Sequence, residues 1–81
     1  MVLNNRVKTV MAQIFGVDKA VIGDNASPGN IEQWDSLRHM NLIVALEEEF
    51  DLRFPDDSIS EMVSLSLILF HLEEALRAAE G

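Results

Sequence analysis

Three stretches of the chain repeat apolar residues at intervals of three and four, and this spacing limits the chain to packed helices. The first stripe runs through residues 4–16, the second through residues 36–50 and the third through residues 65–79. A helix with this spacing buries one face and leaves the other in water. No stretch alternates apolar and polar residues as a half-buried strand does. The sequence therefore predicts an all-α fold.

The ends of the helices are indicated by flanking residues. Asn4 or Asn5 is placed to cap the first helix, and Gly16 is placed to end it. Ser64 precedes the last helix as a cap. A Ser-x-x-Glu pattern starting at Ser58 has the form of a capping box and predicts a short helix of one or two turns. We expect a small bundle of three main helices and one short helix.

A segment rich in glycine, asparagine, aspartate and proline separates the first two helices. It spans residues 17–34 and predicts a long ordered loop, with one short turn after Pro28. A loop of this length in so small a domain is unusual and is often functional. Its apolar side chains are expected to pin it to the helices; they are Val21, Ile22, Ile31 and Trp34.

The length of 81 residues suffices for one domain, residues 1–81, but not for two. A domain of this size buries only about 60% of the surface that its unfolded chain exposes, so its core is modest. The chain has no cysteine, which excludes disulfides, thiolate metal sites and a thiol nucleophile. Two lone histidines, His39 and His71, make no metal site, and we expect both to be half-buried helix residues.

The net charge of −8 is unevenly distributed. Residues 1–38 hold four acids and four bases, whereas residues 39–81 hold ten acids and two bases. Because phosphate groups are bound by clusters of lysine and arginine, neither a nucleic acid nor an anionic membrane surface is an expected partner. A protein with a basic patch would be attracted instead, although acidity alone also keeps a small domain soluble.

Nothing in the sequence predicts insertion into a membrane. The longest apolar run is Leu42–Leu46, whereas a spanning helix needs about 20 apolar residues. Polar residues between Asn4 and Thr9 interrupt any signal-peptide core. We therefore expect a cytoplasmic protein.

Ser36 stands at the start of the second helix, between Asp35 and Leu37, and several interpretations of it are open. Serine and aspartate are both preferred caps, so either Asp35 or Ser36 is expected to cap this helix. A hydrolase nucleophile with His39 as its base is disfavoured, because no Gly-x-Ser-x-Gly motif and no third orienting residue is present. A phosphate on Ser36 would meet free backbone N–H groups and the positive end of the helix dipole, but no flanking residue indicates a kinase.

The segment around Ser36 also resembles a known family. Residues 34–50 read WDSLRHMNLIVALEEEF and are similar to the prosthetic-group attachment segment of acyl carrier proteins. The chain length, the long first loop, the acidity and the segment FPDDSISEM at the expected short helix agree with that family as well. The resemblance covers nearly the whole chain.

The resemblance implies that Ser36 is esterified with 4′-phosphopantetheine from coenzyme A by a separate, magnesium-dependent phosphopantetheinyl transferase. The thiol of the arm then carries acyl groups as thioesters, and the domain itself catalyses nothing. Asp35 matches the aspartate that helps hold the metal during transfer, and Leu37 matches an exposed contact for the transferase. Further implied partners are an acyl-loading ligase or acyltransferase and the synthases or transferases of a fatty-acid, polyketide or related lipid pathway, which a monomeric carrier visits in turn.

One face of the second helix is the expected docking surface for these partners. It places apolar and charged side chains beside Ser36, namely Leu37, Arg38, Met40, Asn41, Val44, Glu47 and Glu48. An apolar centre with charged edges suits steered, reversible binding. The alternative is that Glu47–Glu49 form only a solvated helix face.

Three positions of this face depart from the fatty-acid-synthesis type. That type usually carries acids where Arg38 and Asn41 stand, and a methionine where Val44 stands. Trp34 is more typical of specialised, aminoacyl or peptidyl carriers. We therefore expect a dedicated carrier of its own pathway. The alternatives are an aminoacyl or peptidyl carrier, and an acidic helical interaction module in which Ser36 is only a cap.

Carriers of the fatty-acid type can shelter the acyl chain among their helices. The residues expected to line such a slot here are Leu42, Leu46, Ile59, Met62 and Leu69. For each of them, a place in an ordinary closed core is the alternative.

Overall fold

In a computed structural model the chain forms four helices and one long loop. The structure describes the backbone of residues 2–80 and the side chains of residues 3–78. The helices are α1 (Val2–Phe15), α2 (Ser36–Phe50), α3 (Asp56–Ile59) and α4 (Leu65–Glu80), and a 3-10 turn at Lys19–Val21 lies in the loop after α1. Residues 2–80 contain no strand. The predicted all-α bundle, with three main helices, one short helix and a long first loop, is confirmed.

Left-handed residues end the first two helices. Gly16 has φ +68° and donates its N–H to the carbonyl of Ala12 at 2.9 Å, which ends α1 as predicted. Asp51 takes the same role after α2 with φ +53°, and its N–H reaches the carbonyl of Glu47. A non-glycine residue in this conformation is uncommon, but aspartate tolerates it better than most.

The start of α1 differs from the prediction. The helix begins at Val2, so Asn4 and Asn5 lie inside it and neither is its cap. Leu3 packs against the core and extends the apolar stripe by one turn toward the N-terminus, which explains why the helix starts earlier.

The short helix is present, but the predicted capping box is wrong. α3 begins directly after Pro55, and Ser58 lies within it instead of before it. Proline fixes φ near −65° and suits a helix start, and Asp56 and Asp57 in the first turn favour the positive end of the helix dipole. By contrast, the cap predicted for α4 is confirmed, since Oγ of Ser64 accepts the N–H of Leu67 at 3.1 Å.

The core lies where α1 packs against both α2 and α4. Its fully buried side chains come from all three long helices and from the segment before α4; they include Val7, Met11, Leu42, Ile43, Leu46, Met62, Leu65, Ile68 and Leu72. Each such side chain stabilises the fold by about 1.5–3 kcal/mol relative to an exposed one.

The long loop is anchored to this core. Ile22, Ile31 and Trp34 are buried as predicted, whereas Val21 is 63% exposed and does not pin the loop. The carbonyl of Ala26 accepts the N–H of Leu65 at 2.9 Å, which joins the middle of the loop to the start of α4. The loop thereby holds Trp34 and the following residues against the beginning of α2.

Candidate functional site

Asp35, and not Ser36, caps helix α2. Asp35 has extended backbone angles, and its Oδ1 accepts the N–H of Arg38 at 2.8 Å. Ser36 is the first residue inside the helix and is exposed. Its Oγ makes no hydrogen bond to any described residue, so the interpretation of Ser36 as a helix cap is wrong. Ser36 presents a free hydroxyl instead.

A salt bridge accompanies the cap. The guanidinium of Arg38 lies 2.9 Å from Oδ2 of Asp35 and 3.5 Å from the carbonyl oxygen of Gln33. The two charged side chains remain about half exposed. Exposed pairs of this kind contribute about 0–1 kcal/mol, so the pair orients Arg38 more than it stabilises the fold.

The first turn of α2 also offers unpaired backbone donors. Within residues 2–80, nothing accepts a hydrogen bond from the N–H groups of Ser36 and Leu37. These groups point out of the positive end of the helix dipole, where an anion is favoured by about 0.3–1 kcal/mol. An anionic group on Ser36 would therefore meet a favourable electrostatic environment.

Ser36 lies on the edge of a groove of about 710 Å³. The loop, α2, α3 and the segment before α4 all contribute to it. Its apolar walls come from Pro28, Trp34, Met40, Ile59 and Val63, and its polar edges come from Asp35, His39, Asp56 and Ser60. The groove lies directly beside the free hydroxyl of Ser36.

His39 joins three elements across this groove. Nε1 of Trp34 lies 3.0 Å from Nδ1 of His39, and Nε2 of His39 lies 2.9 Å from the carbonyl oxygen of Ile59. An indole N–H can only donate, so Nδ1 must be the acceptor and Nε2 must carry the proton. Both ring nitrogens of His39 therefore form hydrogen bonds to groups other than Ser36. This arrangement excludes His39 as a general base for Ser36 in this conformation.

The predicted docking residues lie mostly on the surface. Leu37, Met40 and Val44 are 72%, 49% and 51% exposed, and Arg38, Asn41 and Glu48 are exposed as well. Glu47 is half-buried, and its Oε2 accepts the N–H of Phe54 at 2.9 Å. Glu47 therefore organises the turn after α2, in addition to any contact with a partner.

The residues expected to line an acyl slot do not form an open cavity in this structure. Leu42, Leu46 and Met62 are fully buried, and Ile59 and Leu69 are half-buried. Of these five, Ile59 alone lines the groove beside Ser36.

Several residues of the groove were not predicted from the sequence, among them Pro28, Asp56, Ser60 and Val63. Pro28 is far from the other three in the chain, and only folding brings all four to the groove beside Ser36. A signal for the bridge through His39 was available, because a buried indole N–H needs an acceptor and Trp34 precedes His39 by little more than one helical turn.

Other site classes have no counterpart in the described residues. Between residues 2 and 80 no group of three or more histidine, cysteine, aspartate or glutamate side chains could hold a metal ion. None of the helices in this range is long and apolar enough to cross a membrane. His71 is half-buried as predicted, and its Nε2 lies 3.5 Å from Oε1 of Glu61.

The comparisons with individual known proteins agree with one another. No protein-family model matches the chain. The sequence is similar to an acyl carrier protein of Cyanidioschyzon merolae, with 33% identity over 61 residues that span 75% of this chain and 67% of that protein. It is also similar to an acyl carrier protein of Guillardia theta, with 29% identity over 73 residues and 90% of each chain covered. The fold resembles the solution NMR structure of a holo acyl carrier protein from Geobacter metallireducens, with a TM-score of 0.84 and 26% identity over 98% of this chain and 91% of that one.

Proposed function

The chain belongs to the acyl carrier protein family, and on that premise we propose that it carries acyl groups as thioesters on a 4′-phosphopantetheine arm attached to Oγ of Ser36. The observation that carries the proposal is the free hydroxyl of Ser36. Because Asp35 provides the helix cap, Ser36 has no structural task in the described part of the chain and is open to a modifying enzyme. The chain itself acts as a carrier and not as a catalyst.

The surroundings of Ser36 fit such a group. The phosphodiester of the arm is an anion, and the unpaired N–H groups of Ser36 and Leu37 suit an anion at a helix start. The Arg38 guanidinium is paired with Asp35 and balances the negative charge of that carboxylate next to the phosphodiester. The groove beside Ser36 offers apolar walls along which a flexible arm can lie. When attached, the arm supplies the thiol that forms the thioester.

Asp35 is the proposed contact for magnesium during attachment. Carboxylate oxygens are the ligands that magnesium prefers. Both oxygens of Asp35 are bonded to Arg38, but the bond from Oδ2 goes to an exposed guanidinium. Since an exposed pair contributes only about 0–1 kcal/mol, Oδ2 can exchange its partner at small cost. The cap through Oδ1 is retained in such an exchange.

The proposed docking surface for partner enzymes consists of the α2 face defined above. Leu37, Met40 and Val44 supply exposed apolar area beside Ser36, and Glu48 supplies negative charge farther along the helix. The proposed partners are a phosphopantetheinyl transferase, an acyl-loading ligase or acyltransferase, and downstream synthases or transferases. We place a monomeric carrier of this kind in the cytoplasm.

Arg38 and Asn41 support a dedicated rather than a housekeeping carrier. They put a cation and a neutral amide on the half of the docking surface nearest to Ser36. Enzymes that recognise an acidic surface at this end would bind less well, because like charges across an interface are unfavourable. The holo protein is therefore expected to be a poor substrate for a housekeeping malonyl transferase and ketosynthase. Equal rates with this chain and with their own carrier would contradict the assignment.

Intact mass spectrometry tests the attachment. The protein is incubated with coenzyme A, magnesium and a broad-specificity phosphopantetheinyl transferase. The expected result is a gain of one phosphopantetheinyl group in the parent chain and no gain in Ser36→Ala. Ser60→Ala is a matched control, because it removes the other serine hydroxyl that lines the groove and should still be modified. No gain in a folded parent chain would overturn the proposal. Loading of the holo form by acyl and by aminoacyl ligases then distinguishes the two kinds of carrier.

A further inference from the structure

A bridge of hydrogen bonds forms part of the wall of the groove beside Ser36. His39 lies at the centre of this bridge and bonds Trp34 on the loop and the Ile59 carbonyl at the end of α3. All three residues line the groove. Among the described residues, no buried side-chain polar atom lacks a partner, so the bridge is fully satisfied as it stands.

The bridge lies on the path from the groove to the core. One turn farther along α2, Leu42 and Ile43 are buried, and three residues beyond Ile59, Met62 is buried. A chain that passes from Ser36 toward Leu42 and Met62 must therefore enter between α2 and α3 at the level of His39 and Ile59.

This entrance is closed to an alkyl chain. The Nε2 of His39 and the carbonyl oxygen of Ile59 are 2.9 Å apart. A methylene group placed between two atoms needs about 3.5–4.0 Å to each of them. Entry would break the hydrogen bond and leave a half-buried carbonyl and a ring N–H without partners, which is unfavourable in an apolar environment.

We propose that His39 is a specificity-determining residue of this carrier, which confines the carried group to the groove and keeps long alkyl chains out of the core. The inference rests on the proposed attachment of the arm to Ser36. The cargo that fits is a short or polar acyl group. The apolar walls of the groove can cover the alkyl part of such a group, and the polar side chains of Asp35, Asp56 and Ser60 stand at its edges. Leu42, Leu46 and Met62 then belong to a closed core and not to a slot.

The experiment compares two loaded forms of the same protein. The transferase attaches acetyl-phosphopantetheine or dodecanoyl-phosphopantetheine from the corresponding coenzyme A thioesters, and intact mass verifies each product. Methyl resonances of Leu42, Leu46 and Met62 are expected to be unchanged between the two forms. The methyl of Met40, which lines the groove, is expected to shift, whereas the indole N–H of Trp34 stays bonded to His39. The two forms should differ little in melting temperature, because the dodecanoyl chain gains only partial cover in the open groove and none in the core.

Removal of the bridge should admit the long chain. In His39→Ala, the dodecanoyl form is expected to melt several degrees above the acetyl form, with shifted resonances at Leu42 and Met62. His39→Gln keeps an amide donor and an acceptor and should restore exclusion. His71→Ala is the matched control, since His71 is also half-buried but does not line the groove. It should lower both melting temperatures equally.

Three results would overturn the inference in distinguishable ways. Failure of the mass gain overturns the attachment to Ser36 and this inference with it. In a correctly loaded parent protein, dodecanoyl-dependent shifts at Leu42 and Met62 overturn the role of His39 alone. Equal melting of both loaded forms of a folded His39→Ala does the same. If His39→Ala does not fold, the comparison of the acetyl and dodecanoyl forms of the parent protein still tests whether long chains are kept out of the core.

Discussion

Asp35 is bonded to Arg38 through both of its carboxylate oxygens, with the backbone N–H at 2.8 Å from Oδ1 and the guanidinium at 2.9 Å from Oδ2. The two residues flank Ser36 and Leu37 at the first turn of α2. One side chain thus caps the helix and orients the neighbouring cation, while the hydroxyl between them stays free. This division of tasks allows structural and functional effects of substitutions to be separated.

Asp35→Ala is expected to reduce the free energy of unfolding by about 1 kcal/mol, with a range of about 0.5–2, because the capping acceptor is lost. Ser36→Ala should change it by no more than about 0.5 kcal/mol, since the exposed hydroxyl has no partner. Urea unfolding of both variants checks this. Asp35→Asn is the control, because it retains the capping oxygen and loses only the salt bridge. Equal destabilisation by Asp35→Ala and Ser36→Ala would show that Ser36 takes part in the cap.

Glu47→Ala is expected to reduce the free energy of unfolding by about 1–3 kcal/mol, because it removes a charged acceptor from the N–H of Phe54. Glu48→Ala removes a neighbouring exposed carboxylate and should cost less than about 0.5 kcal/mol. Thermal and urea unfolding of the pair give the comparison. If both variants were equally stable, the bond to Phe54 would contribute nothing, and Glu47 would be available for docking alone.

Asp51→Gly is expected to raise the free energy of unfolding by about 0.5–1 kcal/mol, since glycine adopts a positive φ without steric cost. In a domain of this size such a gain raises the melting temperature by several degrees. Asp51→Asn removes the charge but retains a residue that tolerates this conformation, so it separates relief of backbone strain from relief of repulsion by the preceding glutamates. A larger gain in Asp51→Asn than in Asp51→Gly would assign the effect to charge.

The salt bridge between Lys8 and Asp24 should make the free energy of unfolding depend on pH in the acid range. The hydrogen bond and the charge of Lys8, whose Nζ lies 2.9 Å from Oδ1 of Asp24, lower the pKa of this carboxyl below its ordinary value of 3.8. The folded state therefore holds its proton less tightly than the unfolded state. The contribution of Asp24 to the free energy of unfolding is complete above pH 3.8, the ordinary pKa of the carboxyl. It is lost as the pH falls through the lower pKa of the folded state.

Urea midpoints measured along an acid titration check this expectation. The parent chain should lose more stability below pH 3.8 than Asp24→Asn does, and the difference should shrink in high salt because the Asp24 carboxylate faces solvent. Lys8→Met removes the other partner and should resemble Asp24→Asn. A parent chain and variants with parallel acid profiles would contradict the pairing.

Sequence patterns predicted the features that depend on local chemistry. The boundaries of α2 and the cap of α4 follow from apolar spacing and from a serine in the right place, and both are found. The start of α1 was missed because it depends on Leu3 packing against the core. The start of α3 was missed because Pro55, and not the capping-box pattern at Ser58, decides it.

In the candidate site, too, the sequence predicts what depends on local chemistry and misses what depends on packing. Ser36 stands out in the sequence, but two adjacent capping residues cannot be ranked without the backbone angles at Asp35. The groove depends on bringing Pro28, Ser60 and Val63 together, which only the folded chain does. The bond from His39 to the carbonyl of Ile59 is likewise set by how α3 packs on α2.

The bond between Ala26 and Leu65 has a consequence for the motions of the protein. The N–H of Leu65 belongs to the first turn of α4, where no helical acceptor exists, and its partner is supplied by the long loop. Hydrogen exchange at this amide requires the loop to lift away from the helix, and its rate measures the free energy of that local opening. The same loop carries Trp34 to the groove. The exchange rate of the Leu65 amide therefore reports how often the loop that forms part of the wall beside Ser36 opens.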